Sequence, residues 1–449
     1  MRPAVRRILV AGVAIAAVAL VAGLWFLRGP APMAFADGPK VALADYPGTD
    51  PTGVPAPLAK ASLVERGEYL ARAADCMVCH TAPGGKEYAG GLAFKLPFGT
   101  LYSTNITPDT ETGIGNYSDQ DFLDAIHRGV RRDGARLYPA MPFVSYTYIT
   151  DADALAIKTY LFSLAPVRAA APPNTLMFPF NQRWAMIFWS ALFNPDKRFE
   201  PDTAKSPEWN RGAYLAEALA HCGECHTPRN LAFALDNREK FAGAVAAGWH
   251  AYNISSDKGT GVGAWPDDAL VSYLSTGHAV GYGTASGPMG EAVDHSFSRM
   301  TPEDIRALVT YLRSVPAIAS SDLPATLAPP APGSHKDGGG TADMRGKMVF
   351  QGACVSCHGW TGQSVLTPFA TLSGARAVND PGAINVAQIV ISGTKRQTPP
   401  GAVSMPAFGS SYSDAEIAAV ANYVTARFGS KASRITQQDV AALRKQTSE

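Results

Sequence analysis

The sequence predicts a mainly α-helical chain that folds as three modules in tandem behind an N-terminal hydrophobic helix. Three observations predict this architecture. The pattern Cys-x-x-Cys-His occurs three times and uses all six cysteines. A short apolar segment beginning with Arg-Gly precedes each copy, and a segment with helix-start signals closes each repeat. The same features in the same order indicate three equivalent units.

The cysteine pattern is the attachment pattern of c-type haem. Two thiols three positions apart lie on one side of a helical turn and reach the two vinyl groups of one porphyrin. The next histidine then lies under the iron as an axial ligand. A disulfide would not require that histidine, and a zinc site would need two cysteine pairs close together. We therefore predict three covalently bound haem c groups, at Cys76, Cys79 and His80, at Cys222, Cys225 and His226, and at Cys354, Cys357 and His358.

A methionine is available downstream of each motif as the second axial ligand, which would raise the reduction potential relative to two histidines. Met141 lies 61 residues after His80, and Met405 lies 47 residues after His358. Proline follows both methionines. We predict that both are iron ligands.

The middle repeat offers two methionines, Met289 and Met300. Met300 directly precedes Thr301, where the closing helix is predicted to begin. A ligand adjoining the helix has little loop with which to reach across a haem. Met289 is therefore the favoured ligand of the second module.

Each repeat is predicted to end in a helix that begins at a hydroxyl residue followed by acids, as helix N-termini prefer. These closing helices are predicted at Ala154–Leu164, Ile305–Val315 and Ile417–Phe428. Each has a tyrosine ten positions after its cap, namely Tyr160, Tyr311 and Tyr423. The glycine of each Arg-Gly pair has no side chain, so it would let the closing helix cross closely at Gly67, Gly212 and Gly346.

The N-terminus has arginines at positions 2, 6 and 7 and then an apolar run from Ile8 to Leu27. About twenty apolar residues span a bilayer as a helix, and the arginines would stay on the cytoplasmic side. A cleaved signal peptide ending near Ala36 competes with this anchor, although secretory apolar cores are usually shorter. Both interpretations place the chain on the periplasmic side of the bacterial cytoplasmic membrane, anchored or peripherally attached.

Composition divides the rest of the chain. Proline-rich and glycine-rich stretches predict an extended tether and a flexible linker that lets the third module move. An aromatic connector either packs between modules, docks a partner or lies on the bilayer. The predicted segments are a signal peptide or anchor (1–36), tether (37–62), module 1 (63–168), connector (169–207), module 2 (208–318), linker (319–342), module 3 (343–430) and C-terminal tail (431–449).

The sequence lacks the features that are typical of several classes of function. The net charge is +1 and charged residues make up 17% of the chain, so no basic face for nucleic acid is indicated. We find no nucleophile elbow, Walker loop, Rossmann fingerprint or zinc-protease helix. The sequence therefore predicts redox centres without an evident substrate site.

The modules resemble the triheme cytochrome c subunit of bacterial membrane-bound dehydrogenases. The resemblance runs from about residue 60 to the end. The matching motifs are Pro97–Thr100, Asn105–Asp109, Leu137–Pro142, Glu208–Leu215 and His221–Arg229. By this resemblance Met141, Met289 and Met405 are the sixth iron ligands, although no proline follows Met289.

The resemblance implies that a partner subunit oxidises an alcohol, aldehyde or sugar and that this chain passes the electrons to membrane ubiquinone. The partner would contain molybdenum, flavin or pyrroloquinoline quinone. The long apolar N-terminus and the connector residues Asn181 and Trp184 favour the cytochromes that accompany molybdenum aldehyde dehydrogenases. One alternative is a free-standing multihaem carrier that delivers electrons to a terminal oxidase. Another is a haem enzyme such as a peroxidase, against which the three methionines argue.

Overall fold

The computed structural model describes residues 3–320, 344–398 and 401–447. In this part of the chain helices dominate, and the strands pair only as two-stranded antiparallel hairpins. The N-terminal helix α1 covers Pro3–Arg28. A mainly helical fold is therefore confirmed.

Module 1 surrounds its cysteine motif with five helices and one hairpin. The helices are α2 (Leu63–Ala73), α3 (Cys76–Cys79), α4 (Asp119–Arg128), α5 (Phe143–Tyr146) and α6 (Asp151–Ser163). The hairpin pairs β1 (Ala93–Leu96) with β2 (Gly99–Tyr102), with Ala93 opposite Tyr102. The connector then contributes α7 (Ala185–Phe193).

Module 2 repeats this order and adds a second hairpin. Its helices are α8 (Pro207–Tyr214), α9 (Gly223–His226), α10 (Asp267–Thr276), α11 (Gly287–His295) and α12 (Pro302–Ser314). Its hairpins pair β3 (Ala244–Ala246) with β4 (Trp249–Ala251) and β5 (His278–Ala279) with β6 (Gly283–Thr284). A π-helical turn, Leu215–Leu219, continues α8 toward the cysteines.

Module 3 is smaller, and its single hairpin is longer than those of the first two modules. Its helices are α13 (Met344–Val349), α14 (Val355–His358), α15 (Ile384–Ser392) and α16 (Asp414–Phe428). The hairpin pairs β7 (Thr394–Thr398) with β8 (Gly401–Met405). The tail helix α17, Gln437–Gln446, packs on α15 and α16.

In every module the opening helix crosses the closing helix at the predicted glycine. A Cβ atom on Gly67, Gly212 or Gly346 would clash with the backbone carbonyl oxygen of an alanine on the closing helix. The same Cβ would also lie within 2.9 Å of the Cβ of the predicted tyrosine. The crossing and its register are therefore confirmed, with the partners Ala156 and Tyr160, Ala307 and Tyr311, and Ala419 and Tyr423.

The caps of the closing helices lie where the sequence predicts, and the helices begin directly after them, three residues before the predicted ranges. The side chains of Thr150, Thr301 and Ser413 each accept a hydrogen bond from the backbone N–H three residues later. Such a cap satisfies one of the N–H groups that an α-helix leaves unpaired at its start.

Modules 1 and 2 exchange equivalent hydrogen bonds. The Tyr69 hydroxyl of module 1 donates to Asp304 of module 2 at 2.6 Å. In return, the Tyr214 hydroxyl of module 2 donates to Asp153 of module 1 at 2.6 Å. Each aspartate is the third residue of a closing helix, and burial raises the pKa of Asp153. The two modules therefore share one buried core.

The predicted tether is not a free extended segment, because it packs along the interface of modules 1 and 2. The Arg211 guanidinium is buried, and it donates to the carbonyls of Pro51 and Gly53 at 2.9 Å each while pairing with Asp304. Lys40 also forms an ion pair with the buried Asp202. The need to satisfy these buried charges holds the segment against the protein.

Module 3 is docked on module 2, whereas the sequence led us to expect a module free to move. Arg396 of module 3 pairs with Asp294 at 2.8 Å, and both side chains are buried. The buried Gln388 amide donates to the Gly248 carbonyl at 2.9 Å. Residues 321–343, which hold nearly all of the predicted linker, lie outside the described part of the chain.

Within the described residues, no helix has both the length and the apolar character that crossing a bilayer requires. The side chains of residues 1–11 and 20, on which the predicted anchor partly depends, lie outside the described part.

The helix crossing in module 3 predicts the effect of a single methyl group. Gly346→Ala would drive its Cβ against the Ala419 carbonyl, and such overpacking costs about 1–3 kcal/mol. Gly352 lies in the π-helical turn that continues the same opening helix, and a Cβ added there would have no atom within 4 Å. Thermal unfolding of the haem-loaded protein should show a lower Tm for Gly346→Ala than for Gly352→Ala. Equal Tm values for the two variants would contradict the close crossing.

Candidate haem sites

The six cysteines lie at short helical turns and are all free thiols. Cys76 and Cys79 lie on α3, Cys225 lies on α9 and Cys357 lies on α14. Cys222 and Cys354 are the residues immediately before α9 and α14. One helical turn therefore separates the two thiols of each pair, as attachment to one porphyrin requires.

The thiols of these pairs have apolar surroundings. Burial raises the pKa of Cys222 to about 12 and that of Cys354 to about 11. Cys76 and Cys222 pack against the core shared by modules 1 and 2, and Cys354 packs against the core of module 3. An apolar wall with two thiols suits the edge of a porphyrin.

Each motif histidine is held by the same hydrogen bond. The Nδ1 atoms of His80, His226 and His358 lie 2.6 Å from the backbone carbonyl oxygens of Thr104, Tyr252 and Ala370, respectively. A carbonyl can only accept, so Nδ1 carries the hydrogen and Nε2 keeps a free lone pair. Burial lowers the pKa of all three rings, that of His226 to about 4. Each ring is therefore neutral and oriented, as an iron-ligating histidine must be.

The residues that supply these carbonyls were not identified from the sequence. In modules 1 and 2 they directly precede Asn105 and Asn253, which the sequence shows as a repeated pair. Each asparagine amide donates at 2.6 Å to the carbonyl of a residue just beyond the closing helix, Val167 or Ile318. The repeated asparagine was therefore the sequence feature that could have identified these carbonyls, because it fixes the loop that carries them.

Chain direction changes abruptly before two of the motifs. Asp75 and His221, which directly precede Cys76 and Cys222, have φ values of 53° and 37°. Aspartate and histidine are among the residues that tolerate this left-handed region. The turn redirects the chain from the opening helix into the cysteine turn, and no sequence pattern indicated it.

The predicted methionine ligands lie in the same cores as the cysteines of their modules. Met141 and Met289 are half-buried and pack against the core of modules 1 and 2. Met405 ends β8 and packs against the core of module 3. Met300 is 8% exposed and belongs to that first core itself, next to the cap of α12. Ligation of iron by Met141, Met289 and Met405 stays a prediction.

The first two sites lie next to each other across the interface of modules 1 and 2. Helix α11, which carries Met289, packs against the cysteine turn α3 of module 1. Helix α5, which follows Met141, packs against the π-helical turn before Cys222. The Tyr146 and His221 rings meet edge to face with centroids 5.4 Å apart. The pairing of the modules therefore brings two cysteine motifs together.

Comparison with known proteins agrees with this geometry. The cytochrome c family model matches residues 64–165 and 344–427. A gluconate 2-dehydrogenase cytochrome c subunit from Pantoea cypripedii is 38% identical over 400 residues, which cover 86% of this chain and 90% of that protein. A fructose dehydrogenase cytochrome subunit from Gluconobacter japonicus is 37% identical, over 85% of this chain and 82% of that protein.

The chain belongs to the family of cytochrome c subunits of bacterial membrane dehydrogenases. It is also 41% identical, over 82% of its length, to a nicotinate dehydrogenase subunit from Pseudomonas putida, but the match spans only 30% of that longer protein. The family confirms the resemblance found in the sequence and supports covalently bound haem c. The free thiol pairs, neutral histidines and apolar walls of this cytochrome fit that group.

The choice between Met289 and Met300 can be tested by carbon monoxide binding. Met289→Leu should give a reduced protein in which one haem per chain binds carbon monoxide, because the sixth position of its iron is opened. Met300→Leu is the matched control, since leucine and methionine have similar volumes. It should bind no more carbon monoxide than the unsubstituted cytochrome does.

Difference spectra of the reduced proteins with and without carbon monoxide would measure this. The opposite result, binding by Met300→Leu and not by Met289→Leu, would assign Met300 as the ligand.

Proposed function

We propose that this cytochrome carries three haem c groups and passes electrons, one at a time, from a catalytic dehydrogenase subunit to ubiquinone at the periplasmic face of the cytoplasmic membrane. The observation that carries the proposal is the threefold repeat of one arrangement. In each copy two free thiols precede a neutral histidine whose Nδ1 donates to a backbone carbonyl.

Bound haem c would supply one-electron exchange between Fe(III) and Fe(II) without breaking a bond when both axial positions are filled. The residues of the chain do the rest. The cysteines would hold the porphyrin, the histidine and methionine would ligate its iron, and the buried cores would exclude water. The Tyr69–Asp304 and Tyr214–Asp153 hydrogen bonds keep the first two sites adjacent. Electrons would thus pass between fixed centres.

A catalytic partner is supported by the names of the relatives, which are cytochrome subunits of gluconate, fructose and alcohol dehydrogenases. We propose that a molybdenum, flavin or pyrroloquinoline quinone enzyme that oxidises an alcohol, aldehyde or sugar fills this role here. A free-standing carrier that serves a terminal oxidase is the competing function, and a diheme cytochrome c from Cereibacter sphaeroides, 35% identical over 321 residues, belongs to the same set of relatives.

Purification of the tagged chain from its native membranes in mild detergent tests the proposal. We expect three covalent haems per chain, together with molybdenum, flavin or pyrroloquinoline quinone in stoichiometric amount. The additional cofactor would also name the substrate class to assay. Haem without any second cofactor would instead support the free carrier, and fewer than three haems would contradict the threefold site.

The connector is the surface that we propose for contact with the membrane and its quinone. Phe178, Trp184 and Phe188 are 79%, 61% and 69% exposed. Helix α7 has no charged residue, and it contacts the N-terminal helix α1. Exposed aromatic rings favour the interface between lipid and water. This surface would therefore hold the cytochrome at the periplasmic face of the membrane.

The two tryptophans of the connector form a matched pair for testing this surface. Trp189 is half-buried, donates to the Ala232 carbonyl at 2.8 Å and packs on Phe143. Trp189→Ala should therefore lower the Tm. Trp184→Ala should leave the Tm and haem content unchanged but reduce binding to lipid vesicles and the rate of quinone reduction. Unchanged vesicle binding and quinone reduction by Trp184→Ala would rule out this role.

A further inference from the structure

Module 3 reaches the loop that holds the histidine of module 2. The carbonyl that accepts from His226 Nδ1 belongs to Tyr252. The hydroxyl of the same tyrosine donates to Asp380 of module 3 at 3.2 Å. The Arg376 guanidinium of module 3 lies over the Tyr252 ring, 5.1 Å from its centroid. Tyr252 of module 2 is thus held at its backbone carbonyl by His226 and at its side chain by module 3.

Arg376 and Asp380 place a positive and a negative charge at the interface of modules 2 and 3. Asp380 is almost completely buried, and its carboxylate lies 3.1 Å from His250 Nδ1. Arg376 donates to the carbonyls of Thr260 and Gly261, in the loop of module 2 between β4 and α10. Asp380 therefore has His250 and the Tyr252 hydroxyl as its side-chain partners, and the hydrogen bonds of Arg376 go to backbone oxygens.

Arg376 and Asp380 lie next to the residue that orients His226. Both residues contact Tyr252, whose carbonyl oxygen lies 2.6 Å from His226 Nδ1. Charges separated by protein interact more strongly than charges separated by water, because the effective dielectric constant is lower. A cation or anion in contact with Tyr252 would therefore act on any charge that changes at an iron held by His226.

The equivalent place in module 1 lacks these groups. There the carbonyl that accepts from His80 belongs to Thr104, whose side chain is exposed. Thr104 occupies the position of Tyr252, directly before the repeated asparagine, yet no other module covers it with charged residues in the described structure. The first two sites have the same local hydrogen bond but different electrostatic surroundings.

We propose that Arg376 and Asp380 of module 3 are positioning residues that set the reduction potential of the haem at the second motif. Reduction adds an electron to the iron, so a nearby cation favours the reduced state and a nearby anion opposes it. Arg376 raises the potential and Asp380 lowers it. Both also hold Tyr252, and with it the carbonyl that orients His226. The proposal rests on the covalent haem proposed for this motif.

Spectroelectrochemical titration of the full-length haem-loaded protein tests this inference. Arg376→Gln should lower the midpoint potential of one haem, and Asp380→Asn should raise it, while the other two haems stay unchanged. We expect at least a threefold change in the ratio of reduced to oxidised haem at a fixed potential. This corresponds to about 30 mV, since a tenfold change for one electron is 59 mV.

The opposite signs separate an electrostatic role from a merely structural one. Opening of the interface would admit water at the second site in both variants and would move the potential in the same direction. Gln388→Ala removes a buried hydrogen bond from the same interface without changing charge, so it should shift the potential of no haem. Arg376→Lys keeps the charge and should restore most of the potential lost in Arg376→Gln.

Shifts of one sign in both charge variants, or shifts no larger than that of Gln388→Ala, would overturn the inference. The haem content of every variant is measured first by the pyridine haemochrome spectrum. A second motif that carries no haem in the unsubstituted protein would refute the proposed function instead, so the two failures are distinguishable.

Discussion

The close crossing of two helices is the constraint on which each module depends. A glycine on the opening helix lies directly against the backbone of the closing helix, so the space between them excludes even a methyl group. The cysteine motif follows the opening helix, and the predicted methionine ligand precedes the closing helix. This crossing therefore determines where the two segments of each candidate haem site begin. Three repeats of the crossing produce three similar sites from one short pattern.

The first two modules pair through polar side chains on their opening and closing helices. The aspartates at the third position of α6 and α12 accept from tyrosines of the opposite module. Hydrogen bonds to a charged group are worth about 1.5–3 kcal/mol each. In module 3 the corresponding residues are Met348, which is exposed, and Glu416, which bonds to its own cap Ser413. Module 3 therefore has no equivalent means of pairing, and it docks through a different face.

The face by which module 3 docks lies next to the second cysteine motif. The surface by which module 3 joins module 2 contains buried charges, and it covers the loop behind His226. A chain of similar haem groups would have similar potentials if only the local ligands mattered. Contacts between modules give each site its own surroundings, because burial and charge alter the potential of a haem. Under the proposed function, electron transfer between unequal haem groups would acquire a direction in this way.

The sequence by itself determined the local features of this cytochrome. The cysteine motifs, the caps at Thr150, Thr301 and Ser413, and the glycine crossings depend on residues close in the chain or repeated at fixed spacing. Only the tertiary structure decided the module to which each polar group bonds. Tyr69 and Asp153 belong to one module, yet each bonds to the other module, and Asp380 serves a loop 128 residues away. Spacing along the chain carries no information about such pairs, because burial in a shared core selects the partner.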